Sequence, residues 1–355
     1  MADVRTWRIP GRVNLIGEHL DYSGGPALPF AIDRGLTLKA RARDDDTVNV
    51  WSDGRKASFT VGESTDDWAA LVAGVVRAVP GARGADLVVE SDLPVGAGLS
   101  SSAALTCGVA SALDELGSLG LSRMDVAKAS QQAEHETSGA PTGLMDQLAV
   151  LHGRAGHAVL VDCATDPPSV REVPIDVEAD GLALVVIVTG ASHEHGTSGY
   201  ADRRRECEEA AALLGLDHLA EAGPDAILRI EDETLKARTR HVITETARVR
   251  GALRAVESGA WTQLGTMLTA SHASLRDDFQ VSCAELDVAV DAALEAGALG
   301  ARMTGGGFGG SAVALVPQDR VRPVRELVEQ RYDSVGWPAP DIFVVHPSDG
   351  ARLEA

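Results

Sequence analysis

The chain has 355 residues, 45% apolar and 24% charged, and its 52 acidic side chains outnumber 32 basic ones, for a formal charge of −20. Such a composition is globular, and the length exceeds one ordinary hydrophobic core, so two domains are expected. The acidic field repels nucleic acid and anionic lipid, and no run of eighteen apolar residues offers a membrane span, so both kinds of partner are set aside. Residues 1–10 lack a basic-then-apolar leader pattern, which predicts a soluble cytoplasmic protein. Cys107, Cys163, Cys207 and Cys283 lie far apart without paired spacing and read as reduced, mostly buried thiols.

The first polar cluster is Gly11-Arg12-Val13-Asn14-Leu15-Ile16-Gly17-Glu18-His19-Leu20-Asp21-Tyr22. It gathers Arg, Glu, His and Asp around one turn, as sites for neutral polyols do: carboxylates accept from hydroxyls, His donates or accepts, and an aromatic ring covers an apolar sugar face. The plainer alternative is a solvated loop with an internal ion pair. Residues 35–60 alternate apolar and polar, with turn signals at Asp44-Asp45-Asp46 and Asp53-Gly54, and predict antiparallel strands. A helix is predicted near Trp68–Val79 and a strand over Ala85–Glu90.

That strand leads into Asp92-Leu93-Pro94-Val95-Gly96-Ala97-Gly98-Leu99-Ser100-Ser101-Ser102-Ala103-Ala104, a small-residue turn with three hydroxyls where a helix begins. Gly96 and Gly98 let the backbone approach an anion, and free N–H groups point at it with the helix dipole behind them. The spacing is neither a Walker A loop nor a dinucleotide fingerprint. A phosphate cradle and a plain glycine-rich helix cap both remain open at this point. The helix runs over Ser101–Leu116. Ser122 with Asp125 predicts a capped helix reaching about Thr137, stopped by Gly139-Ala140-Pro141.

A second start at Thr142 places Asp146 in an early helical turn, close in sequence to Ala133-Glu134-His135. Phosphoryl transfer needs a magnesium ligand, which Glu134 could be, and a residue to orient or deprotonate the attacking hydroxyl, which Asp146 could be. Either acid could equally be a surface or capping carboxylate. Farther on, strands are predicted at Val159–Cys163, Leu182–Val188 and Ser311–Val316, with a break at Thr165–Pro168 and helices near 200–215, 240–258 and 285–296. The mixed order favours α+β over regular parallel alternation. His193-Glu194-His195 has i, i+2 spacing that suits no helical chelate and reads as a loop. Arg203-Arg204-Arg205 followed by Glu206, Glu208 and Glu209 reads as a charged helix face, and Asp277-Asp278 as structural.

Taken together, these segments resemble the galactokinase branch of the GHMP small-molecule kinases. Gly11–Tyr22 is similar to the galactokinase signature, Pro94–Ala104 to the family phosphate loop, and Met303–Gly310 to its third glycine-rich motif. Ala133–Gln147, Gly156–Cys163, Tyr200–Glu208 and Ser271–Asp287 also resemble galactokinases rather than mevalonate or homoserine kinases. The resemblance implies an α+β fold of two domains, residues 1–179 like domain 2 of ribosomal protein S5 and residues 180–355 ferredoxin-like, with the site between them. It implies ATP-dependent phosphorylation of galactose or a close analogue at C1, with no obligatory protein partner. The acidic field opposes ATP, but it is screened over about 10 Å at physiological salt, and magnesium masks phosphate charge.

The resemblance further implies Asp146 as the base facing the C1 hydroxyl with Arg12 beside it. Glu18, His19, Asp21, Gly143 and Tyr200 would hold the sugar, and Gly96, Ala97, Gly98, Leu99, Ser100 and Ser101 the phosphates. Trp68 would lie by the adenine, and Ser102 and Glu134 would bind Mg2+. Met303–Gly310 is assigned to close packing behind the site. Leu20 and Ser23 replace the family's usual threonine and asparagine, which predicts a sugar loop short of one hydroxyl and one amide. A kinase for a related sugar (N-acetylgalactosamine, galacturonate or arabinose) and a noncatalytic sugar and ATP sensor are the alternatives.

Overall fold

Alternating burial from Arg5 to Thr60 builds strands that cover a shared core, and the computed structural model describes residues 3–94, 96–139, 142–191 and 196–354. β1 (Arg5–Asn14), the short β2 (Pro26–Ala27), β3 (Pro29–Ala42), β4 (Thr47–Ser52) and β5 (Arg55–Thr60) precede α1 (Ala70–Ala78) and β6 (Ala85–Ser91). The predicted turns fall at the β3–β4 and β4–β5 junctions. β4 and β5 pair antiparallel, but β3 and β4 are not neighbours: β6 inserts between them, antiparallel to β3 and parallel to β4. A local alternation pattern shows which face a residue takes, not which strand lies beside it.

α2 (Ser101–Gly117), α3 (Arg123–Ser138) and α4 (Met145–His152) follow, then β7 (His157–Asp162) and β8 (Ser169–Pro174). The capping box forms as the sequence predicts, with the Ser122 hydroxyl accepting from the Asp125 N–H and the Asp125 carboxylate from the Ser122 N–H. Gly139 ends α3 at φ +68°. α4 begins at Met145 rather than at Thr142, with Asp146 in its first turn. β2, β7 and β8 form a three-stranded sheet.

β9 (Leu182–Val188) is buried at every position and is the centre of the second half. α5 (Gly196–Leu214), α6 (Glu233–Glu257), α7 (Trp261–Asp277), α8 (Ala284–Glu295), β10 (Gly300–Thr304), β11 (Ser311–Pro317), α9 (Val321–Ser334) and β12 (Asp341–Val345) complete it. Its antiparallel sheet has the order β10-β11-β9-β12. The last strand, β13 (Arg352–Leu353), returns to the first half and pairs with β1, giving a six-stranded sheet of order β13-β1-β3-β6-β4-β5. Helix and sheet are mixed in both halves, as the α+β expectation requires. No helix among the described residues is long and apolar enough to cross a membrane.

Candidate active site

The register of β1 against β3 shifts between Pro10 and Arg12, a bulge at Gly11. A Cβ on Gly11 would lie 2.7 Å from Leu93 Cδ2 and 2.8 Å from the Leu99 carbonyl, so glycine lets the turn before α2 press against the strand. The bulge re-aims Arg12, whose backbone N–H donates to Leu99. Its guanidinium forks onto Asp146, Nε to Oδ1 at 2.8 Å and Nη2 to Oδ2 at 2.7 Å, while Nη1 donates to the Gly98 carbonyl at 2.7 Å. Ser100 Oγ donates to Asp146 Oδ2 at 2.5 Å from a left-handed residue, φ +59°, immediately before α2. Arg12 is buried and Asp146 only partly so, leaving the carboxylate open on one side. Strand, glycine turn and helix start, 134 residues apart at their extremes, thus meet at one carboxylate.

Gly96 and Gly98 both take positive φ, +69° and +67°, the conformation the sequence reading asked of them. Ala97 and Leu99 are buried under the turn, and Ser101 and Ser102 are exposed at the first turn of α2. Ser102 Oγ lies 3.4 Å from Glu134 Oε2, and Thr106 Oγ1 and Gln147 Nε2 donate to Glu134 Oε1 at 3.0 and 3.1 Å. All three donors are neutral. Burial, and next the negative charge of Asp146, push the Glu134 carboxyl up to about 7. A buried carboxylate with neutral partners and a second acid nearby is a chemical fit for a divalent cation. Among the described residues no three or more His, Cys, Asp or Glu side chains gather around a metal position, so an ion here would take most ligands from phosphate and water, as magnesium does. Trp68 stands partly buried just before α1, with the Arg55 guanidinium 4.8 Å from its ring centroid.

His19 follows in a left-handed conformation, φ +63°, and is almost wholly buried. Its Nε2 donates to the Gly306 carbonyl at 3.2 Å and its Nδ1 accepts from Tyr22 Oη at 2.9 Å, while Tyr200 and Phe279 pack on the ring at 5.2 and 4.8 Å between centroids. Burial first, then His241, lowers its pKa to about 3, so the ring is neutral. Asp21 is pushed up to about 6 by burial and then by Asp146, which places the two acids within electrostatic reach. A Cβ on Gly143 would occupy the space of the Asp21 carboxylate, which makes glycine a condition of that close approach. Tyr200 also bonds to the Gly143 backbone and feels the charges of Asp21 and Asp146. Asp21, Asp146, Gly143, Tyr200 and His19 therefore share one region. Glu18 is 1% exposed and its carboxylate is engaged with Arg302 and with the Gly305 N–H.

Two sequence readings change in detail and a third stands. Leu20 is fully buried in the hydrophobic core and Ser23 is buried with Oγ donating to the His19 carbonyl, so the two departures from the family pattern are packing positions. Arg203 and Glu206 form no solvated face: each side chain is only 14% exposed, and Glu206 also takes the buried Arg238 at 2.6 Å. Met303–Gly310 begins in β10 and does pack behind the site, with Ser311 Oγ next to it donating to the Ala97 carbonyl at 2.6 Å. Arg302, one residue before that motif, was not singled out from the sequence, although an arginine inside an apolar strand is a signal in itself. Val95, Ser192 and His193-Glu194-His195 lie outside the described residues.

The galactokinase galactose-binding signature matches residues 2–42, the GHMP kinase N-terminal domain residues 69–154 and the GHMP kinase C-terminal domain residues 252–334. The chain is 43% identical to the galactokinase of Streptomyces coelicolor, over 98% of this chain and 93% of that protein. It belongs to the galactokinases. The crystal structure of Lactococcus lactis galactokinase complexed with galactose matches with a TM-score of 0.93 at 34% identity, covering 99% of this chain and 95% of that one. A mevalonate kinase matches at a TM-score of 0.67 and 18% identity, a likeness of fold alone. As a galactokinase, the chain has the two-domain architecture of GHMP kinases, a class of ATP-dependent phosphotransferases.

Proposed function

We propose that this galactokinase transfers the terminal phosphoryl group of ATP to the C1 hydroxyl of α-D-galactose, giving galactose 1-phosphate and ADP. The observation that carries the residue assignment is the Arg12 fork on Asp146, tied to Ser100 and Gly98 at the head of α2. Asp146 faces the C1 hydroxyl and orients or accepts its proton as the oxygen attacks phosphorus. Arg12 holds that carboxylate in one orientation and sets positive charge beside the transferring group. Gly96–Ser101 cradle the phosphates with backbone N–H groups at the helix start, and Trp68 lies by the adenine.

Ser102 and Glu134 would hold magnesium, which when bound neutralises charge on the phosphate oxygens. Asp21, Tyr200 and Gly143 hold sugar hydroxyls, with Asp21 as the acceptor that separates galactose from its 4-epimer, and His19, both of its ring nitrogens engaged by Tyr22 and Gly306, supports the loop rather than holding a hydroxyl itself. A site built around one hydroxyl rejects an analogue that leaves its polar group unpaired, by roughly 10⁴ or more. Glu18 adds a carboxylate whose direction Arg302 sets. We also infer a boundary between the halves at residues 179 and 180, supported by the start of the second sheet at Leu182, with β13 crossing back.

ADP release measured over a panel of free sugars tests the reading. Galactose is expected to turn over fastest. Faster turnover of an N-acetyl sugar or a uronic acid would replace galactose, and sugar binding without ADP release would point to a sensor.

A further inference from the structure

The turn Asn14–Glu18 joins the strand that carries Arg12 to the loop that carries His19 and Asp21; Leu28 meets its Leu15 N–H and Ile16 carbonyl, and the polar groups of the Asn14 main chain, Gly17 and Glu18 are met from the other half of the chain. Arg302, fully buried on β10, donates through Nη1 to the Asn14 and Leu15 carbonyls, each at 3.2 Å, and pairs through Nη2 with the Glu18 carboxylate. Glu245, fully buried on α6, accepts the Gly17 N–H on Oε1 at 3.1 Å. His241, one turn earlier on α6, has Nε2 at 3.3 Å from the Glu18 carbonyl. Ser271 on α7 joins the two charged residues, donating to Glu245 Oε1 at 2.7 Å and accepting from Arg302 Nε at 3.1 Å. Arg248 occupies the second Glu245 oxygen at 2.7 Å. Two guanidiniums thus face two carboxylates in a largely buried cluster, and the turn between the catalytic strand and the sugar loop is the object they grip.

We propose that Arg302 and Glu245 are positioning residues for sugar binding: a buried charged clamp that sets the course of Asn14–Glu18 and, through it, where the Glu18 carboxylate, His19 and Asp21 stand. Neither residue belongs to the phosphate loop at the head of α2, so the clamp acts on the sugar side of the site. A lysine cannot reproduce the fork, because one ammonium cannot reach two carbonyls and a carboxylate in the plane that guanidinium spans. A glutamine at 245 keeps an acceptor for Gly17 but loses the charge that balances Arg302. An alanine at 271 removes only the link between them. A shift of about 1 Å in a loop that positions substrate can cost on the order of a hundredfold in rate, so a change of about tenfold in sugar KM needs only a smaller displacement.

The inference rests on the galactokinase reading, and the experiment separates the two. Unmodified protein is assayed first with galactose and MgATP; failure there removes the substrate and leaves nothing for the clamp to position. Given turnover, Arg302→Lys, Glu245→Gln and Ser271→Ala are compared for both Michaelis constants, with circular dichroism melts to confirm folding. The expected result is a sugar KM raised about tenfold or more in the first two and about threefold in Ser271→Ala, with the ATP KM within about twofold of the parent. A purely structural role would lower the melting point and the active fraction while leaving both KM values in place. A sugar KM unchanged in folded Glu245→Gln and Ser271→Ala, or a parallel rise in the ATP KM, would overturn the proposal. Should Arg302→Lys not fold, those two variants decide.

Discussion

At the scale of single residues the site is a set of acids with different surroundings, and the proposed tasks follow those differences. Asp146 takes the Arg12 fork and the Ser100 hydroxyl, so Asp146→Asn keeps the size of the side chain while removing the proposed proton acceptor and one prong of the fork. Turnover is expected to fall by roughly 10² to 10⁴ with sugar binding nearly intact, read from kcat against a direct sugar titration. Glu134 has neutral hydrogen-bond partners only, so Glu134→Ala is expected to raise the magnesium concentration for half-maximal rate by about tenfold or more. An unchanged metal titration would remove it from the metal shell. Asp21 carries a folded-state pKa of about 6, raised by burial and by Asp146. For a carboxyl raised in this way the protonated form is favoured in the fold. Its ionisation therefore lowers the stability of the unliganded protein as pH rises from the unfolded value through 6, while the ionised form is the stronger acceptor for a sugar hydroxyl. The sugar KM is expected to rise as pH falls through about 6 and to lose that inflection in Asp21→Asn, as a pH series of initial rates will register.

Elements divide according to whether their signals are local. The Ser122 box and the Gly139 stop are contained within α3 and its ends, and both stand where the sequence places them. Because that box is exposed, Ser122→Ala is expected to cost about 1 kcal/mol in denaturant unfolding with kcat unchanged. The glycine turn before α2 was equally legible, since positive φ at Gly96 and Gly98 follows from residue type. α7 was not foreseen, although Leu264, Leu268 and Leu275 supply a buried stripe at helical spacing. Gly265, Thr266, Thr269 and Ser271 weaken the propensity signal, and tertiary packing overrides it. α9 escaped for a like reason, its buried face being no more than Val324, Val328 and Tyr332. The parallel pairing of β4 with β6 had no local signature at all, because it is made by an excursion through β5 and α1.

For the whole molecule, the resemblance carried the architecture and the placement of motifs, while the contacts between halves came only from the structure. Within the first half the resemblance implies Arg12 beside Asp146, while the two-pronged fork and the Ser100 hydroxyl on the same carboxylate have no counterpart in the spacing of residues 134 apart. Glu18 reads as a sugar ligand from its place in the signature, and its burial against Arg302, 284 residues later, has no local signal. Leu20 and Ser23, close in sequence to a ligand loop, both turn inward, Leu20 into the hydrophobic core and Ser23 onto the His19 carbonyl.

Near the other end of the chain, Trp7 sits opposite Leu353 and Arg8 opposite Arg352 on neighbouring strands. A short peptide bridge from Leu353 to Arg5 would therefore join these two strands without disturbing the register. The polypeptide could then be reopened at an exposed hairpin such as Asp53-Gly54, yielding a circular permutant whose catalytic centre is assembled from the same pieces in a different order.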